Sequence, residues 1–129
     1  MSEYVRQPTK LDAAVDDSTV VLKATIRATE RLKINNRTLA RIIGVSESSV
    51  SRMRKGDFLL EKGKSFELAL MFIRLYRSLD AVVGGDDAVS AAWLANKNSA
   101  LDGTPIDLIQ TVSGLTNVIQ YLDSRRAVI

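Results

Sequence analysis

The chain is 129 residues long, with 46% hydrophobic residues, only 5% aromatic ones, and a net charge of +3. That length suits one domain, or two very small units sharing a core, and a core drawn from Leu, Ile, Val and Ala leans towards helices. Cysteine and histidine are both absent, which excludes disulfides, thiolate nucleophiles, Ser-His-Asp and Cys-His catalysis and the commonest transition-metal ligand.

Residues 1–17 read as a flexible tail: Pro8, Thr9 and the Asp16-Asp17 pair interrupt any periodicity, and the opening MSEYVRQPTK lacks the apolar stretch of a signal peptide. Ser18 is the expected N-cap of a first helix running to about Lys33, with Val21, Ala24, Ala28 and Leu32 on its apolar stripe. Asn35-Asn36 should break it. A second helix is predicted over Arg37–Ile43, stopped by Gly44. Ser46 caps a third over Glu47–Lys55, stopped by Gly56. A long helix follows from about Lys64 to Val83. Its apolar face (Leu68, Phe72, Leu75, Leu79, Val82, widened by Phe66, Leu70 and Ile73) is broad enough to pack on two sides or on a partner chain. Gly84-Gly85 ends it, and Asp86 or Asp87 opens a short helix through Trp93 and Leu94. After the loop 96–103, Thr104-Pro105-Ile106-Asp107 starts another turn of helix. A last helix spans about Ser113–Arg125, with Leu115, Val118, Ile119 and Leu122 apolar. No stretch alternates with period two, so the expected fold class is all-α, and no apolar run approaches the roughly 20 residues of a membrane span. A soluble chain suited to a reducing cytoplasm is expected.

The informative segment is Asn36–Lys55. Two short helices crossing steeply need a small residue at the crossing, here Ala40, and a turn residue tolerant of positive φ, here Gly44. Val50 then anchors the second helix, and Leu39, Ile43, Val45 and Met53 fill the positions around it. This is the pattern of a helix-turn-helix, bounded here as a unit over residues 18–62. Charge follows it: residues 23–64 hold eleven Lys and Arg against four Asp and Glu, whereas residues 1–22 and 65–129 are each negative by two. A basic block of this kind suits a polyanion, and double-stranded operator DNA is the expected partner. In that geometry the start of the second helix of the pair enters the major groove. Glu47, Ser48, Ser51 and Arg52 lie on its outer face: Arg52 can read guanine bidentately and Glu47 can accept from cytosine N4. Asn36, Arg37, Arg54 and Lys55 are candidate phosphate contacts. The plainer alternative leaves Arg52, Arg54 and Lys55 as a solvated helix end and Glu47 as an acid on the helix dipole.

Gly63-Lys64-Ser65 copies the end of a phosphate-binding loop, but six residues rather than four separate it from Gly56, and a helix precedes it. Asp16-Asp17 and Asp86-Asp87 are candidate metal carboxylates, yet each precedes a predicted helix and reads as capping. No metal, cofactor or catalytic residue is expected. Trp93, with Ala91, Ala92 and Leu94 beside it, reads first as core packing.

The first half resembles the lambda-repressor-like helix-turn-helix proteins. In the second half, Trp93-Leu94, Asn98, Leu101, Gly103, Pro105, Asp107-Leu108, Gly114, Val118 and Leu122 resemble the toxin-binding domain of Xre/MbcA/ParS-type antitoxins. The resemblance implies a type II antitoxin. Such a protein neutralises a cognate toxin, commonly a RES-domain protein that degrades NAD, by covering its active-site entrance. It also represses its own operon as a dimer or higher assembly. Residues 63–129 would then be a helical dimerisation and toxin-binding domain, with Trp93, Asn98, Arg125, Arg126 and Ile129 as candidate toxin contacts. The alternatives are a stand-alone transcriptional regulator whose second half only dimerises and, from another class, a small helical enzyme.

Overall fold

The computed structural model describes residues 10–126, and among them seven helices and no strand. They are α1 (Lys10–Leu32), α2 (Asn36–Ile43), α3 (Glu47–Lys55), α4 (Lys64–Val82), α5 (Asp87–Ala95), α6 (Pro105–Leu108) and α7 (Val112–Arg126). The expected all-α class is the one observed. No helix among the described residues is long and apolar enough to cross a membrane.

The largest departure from expectation is the start of α1. The helix begins at Lys10, so Asp16 and Asp17 lie within it and Ser18 is no cap but a buried mid-helix residue. The Asp17 carboxylate instead sits 3.4 Å from the Lys62 ammonium, an exposed pair. Polar residues did not mark a boundary because this helix absorbs its own hydroxyls. Thr25 Oγ1 donates to the Val21 carbonyl at 2.7 Å and Thr29 Oγ1 to that of Ile26 at 2.6 Å, so both threonines are buried at little cost. The other end also differs. Lys33 adopts φ 57°, and Ile34 N–H returns to the Thr29 carbonyl at 2.9 Å, closing a Schellman motif around a non-glycine residue. Burial of Ile34 stabilises that turn.

Asn35 then caps α2, its Oδ1 accepting from Thr38 N–H at 2.8 Å. Asn35→Ala should lower stability by about 1 kcal/mol, read as a shift in urea midpoint with an unchanged slope. Gly44 follows at φ 71° with both Gly44 N–H and Val45 N–H on the Ala40 carbonyl. This turn swings the chain from α2 into α3 at the angle the helix-turn-helix requires. Leu39, Ala40, Ile43, Val50 and Met53 are buried where the pattern placed them.

α4 is the centre of the molecule. It packs against α7 on one side and α1 and α2 on others, with α5 across its end. Its wide apolar face is therefore used mostly inside the chain: Phe72, Leu75 and Leu79 have no exposed surface, while Leu70 and Val82 remain outside. α7 returns Leu115, Val118, Ile119 and Leu122 to the same core, and α1 contributes Val21, Leu22, Ala28 and Leu32. One continuous core thus runs through the helix-turn-helix and the helices after residue 63.

Gly84 and Gly85 end α4 as expected. Asp86 caps α5, its Oδ1 accepting from the Ala88 and Val89 amides at 3.0 and 3.2 Å. Thr104 occupies the cap position of α6 without a side-chain capping bond, and α6 is only four residues long. α7 gains its own cap instead from Thr111, whose Oγ1 accepts from Gly114 N–H at 3.1 Å.

Candidate functional site

Two surfaces carry the candidate residues. On the first, α3 presents Glu47, Ser48 and Arg52 to solvent, with Ser51 half-buried between them, while Arg37 is exposed at the start of α2. Ser46 fixes the entry: its Oγ accepts from Ser49 N–H at 3.1 Å and lies 3.1 Å from Ser48 Oγ. The first turn of α3 is therefore pre-set. Arg52 is held rather than loose. Its guanidinium lies 5.5 Å from the Phe58 ring centroid and donates to the Asp57 carbonyl at 3.3 Å. Lys55 is exposed at the end of α3.

The structure gives Arg54 different work from the expected phosphate contact. It is half-buried, and its Nε donates to Asn36 Oδ1 while a terminal nitrogen donates to Thr29 Oγ1 at 3.1 Å. Arg54 ties the end of α3 to the start of α2 and to α1, because the last turn of α3 lies on α1 with Met53 buried beside it. Asn36 gives its carbonyl oxygen to that tie. An exposed helix end and an inward clamp share one basic sequence signature, so charge alone did not separate Arg54 from Arg52.

The second surface lies on α5 and α7. The Trp93 and Tyr121 rings stack with centroids 6.3 Å apart and planes 16° from parallel. The Arg125 guanidinium follows at 5.9 Å from the Tyr121 centroid. Trp93, Tyr121 and Arg125 form one ladder with both rings half-buried. Tyr121 was missed in the sequence, although the spacing of four from Arg125 on one helix carries the signal. The other candidates are not brought together with the ladder. Asn98 closes the loop before α6: its Oδ1 accepts from Leu101 N–H at 3.2 Å, and its backbone bridges Gly103. Arg126 turns to α4 and donates to Ser78 Oγ at 3.2 Å. Adjacent Arg125 and Arg126 thus have different partners, one on α7 itself and one on α4. Ile129 lies outside the described residues.

Arg126 joins a small network at the α4–α7 seam. Ser78 Oγ donates to Asp123 Oδ1 at 2.8 Å and Arg74 pairs with Asp123 Oδ2. The Ser78 hydrogen bond first, and then Arg74, hold the Asp123 carboxyl below the usual carboxylate range, against a partial burial that pushes it up. A depressed folded-state pKa contributes stability that is complete above the unfolded value of about 3.9 and is lost as pH falls through the folded value. Asp123→Asn should therefore lower the urea midpoint at neutral pH and flatten its decline on acidification below about pH 4.

An exposed, basic helix-turn-helix thus shares one helical core with the helices that carry the aromatic–arginine surface. Residues 13–74 match the model of the antitoxin Xre-like helix-turn-helix domain, and residues 78–127 match that of the antitoxin Xre/MbcA/ParS C-terminal toxin-binding domain. The protein is a DNA-binding antitoxin of a type II toxin–antitoxin system. More particularly, the chain belongs to the Xre/MbcA/ParS-type antitoxins. Comparison with curated proteins found no match.

Proposed function

We propose that the chain restrains a RES-domain toxin that consumes NAD, by seating the Trp93–Tyr121–Arg125 ladder at the toxin's active-site entrance, and represses its own operon through the outer face of α3. The ladder is the observation that supports this reading. It presents two flat rings and a guanidinium already held in place, so little side-chain freedom is lost on binding. The carboxylates, amides or phosphate site of a nucleotide-using pocket suit a guanidinium. Occlusion needs shape and anchors, not chemistry, which fits a chain without His or Cys. On this reading the protein has no enzymatic activity, works in the cytoplasm, and binds its operator as a dimer, since one small module covers only part of a pseudo-palindromic site.

The test is co-expression with the product of the adjacent gene, reading growth and cellular NAD. The unaltered chain should protect cells and keep NAD constant. Arg125→Glu, at an exposed position, should abolish protection while leaving folding and operator binding intact. A toxin that acts without NAD loss removes the RES assignment. Failure of the unaltered chain to bind or protect removes the toxin-restraining role and leaves a simple regulator.

A further inference from the structure

A third face lies in the groove between α1 and α4, whose α1 wall also borders the end of α3 through Lys23 and Arg27. Its floor is aliphatic: Val20, Ala24, Leu70 and Ile73, with Val20 67% and Leu70 44% exposed. Two depressions of about 360 and 420 Å³ share Val20, Ala24, Ile73 and Arg77 and merge into one groove. Along α1 it extends from Val20 to Arg31, roughly three helical turns or about 16 Å.

Both walls are cationic. α1 contributes Lys23, Arg27 and Arg31, α4 contributes Arg74 and Arg77, and Arg126 of α7 closes one end. Three of these cations are engaged within the chain: Arg31 with Tyr76, Arg74 with Asp123, and Arg126 with Ser78. Lys23, Arg27 and Arg77 have no carboxylate partner among the described residues. They flank the aliphatic floor from opposite sides.

We infer that the α1–α4 groove is a docking site for an amphipathic helix of a partner protein whose aliphatic stripe is flanked by Asp or Glu. The floor buries aliphatic side chains at i, i+3 or i+4 and i+7, and the unpaired cations meet carboxylates on either flank. Charge complementarity selects this occupant. A second copy seated face to face would set Lys23, Arg27 and Arg77 against the same three cations. DNA would use the cations but gain nothing from exposed Val20 and Leu70. The groove requires neither the RES assignment nor the role of the ladder.

The probe is a displayed library of 16-residue helical peptides with a fixed aliphatic stripe and flanks drawn from Glu, Gln and Lys, selected on the full-length chain. Selected peptides are then measured by fluorescence anisotropy. The expected result is enrichment of Glu flanks. Affinity should weaken at least tenfold in Leu70→Glu, and flank preference should reverse to Lys in the Arg27→Glu, Arg77→Glu double variant. All these positions are exposed, and circular dichroism checks that each variant is folded. No enrichment, or enriched peptides indifferent to these substitutions, overturns the proposal. So does a dimer in light scattering that Leu70→Glu disperses, which assigns the groove to a second copy. Loss of operator affinity in the double variant, with no peptide binding, assigns the cations to DNA.

Discussion

Gly114→Ala should lower stability by about 3 kcal/mol, near the upper end of what overpacking a filled site costs. The reason is space, not conformational freedom. A Cβ at Gly114 would stand 1.8 Å from the Leu108 carbonyl oxygen and 2.9 Å from Thr111 Oγ1. That oxygen belongs to backbone at the end of α6 and cannot swing away, so the start of α7 must move. Moving it breaks the Thr111 cap and shifts Leu115 and Val118 against α4. Gly103 is the internal comparison. There a Cβ meets only the Leu108 side chain, at 3.1 Å, which can change rotamer. Gly103→Ala should cost much less. Urea unfolding followed by far-ultraviolet circular dichroism measures both. Equal midpoints for the two variants would refute the close-packing account.

The second large effect concerns DNA. Ser48→Glu should weaken operator binding at least 100-fold without destabilising the fold. Ser48 is exposed in the first turn of α3, where a carboxylate is favourable to the helix but repelled by the phosphates lining a major groove. Arg37→Ala should act differently, weakening all sequences alike and reducing the slope of log K against log salt by about 1. Arg54→Ala separates clamp from contact. Cutting its ties to Asn36 and Thr29 should lower the unfolding midpoint, with the salt slope little changed. Titration of labelled operator at several salt concentrations measures the binding of each variant. A Ser48→Glu protein that binds as tightly as the unaltered chain would remove α3 from the groove.

Local signals carried most of the fold into the sequence. Ser46 and Asp86 cap helices because a short polar side chain reaches an amide two or three residues on (Asn35, read only as a breaker, does the same for α2), and Gly44, Gly56 and Gly84 end them because the chain must turn left-handed there. The helix-turn-helix was legible for the same reason: its geometry fixes residue size at Ala40, Gly44 and Val50. What escaped depended on partners distant in sequence. Nothing near Ser18 says that a hydroxyl is buried there. Lys33 holds a positive φ because Ile34 is buried behind it. Arg54 and Arg52 differ in what α1 and Asn36 of α2 offer to one and the connector at Asp57–Phe58 to the other. Similarly, the breadth of the α4 face was visible, but not that α1, α2 and α7 would each claim part of it.

That shared use of α4 has a consequence for the lifetime of the protein in a cell. A chain with one continuous core has no stable half to leave behind, because opening α4 withdraws support from α1, α2 and α7 together. A protease that captures the opened chain would therefore end DNA binding and toxin binding in the same event. On the proposed function, breakdown of one molecule would then be felt simultaneously in transcription and in toxicity.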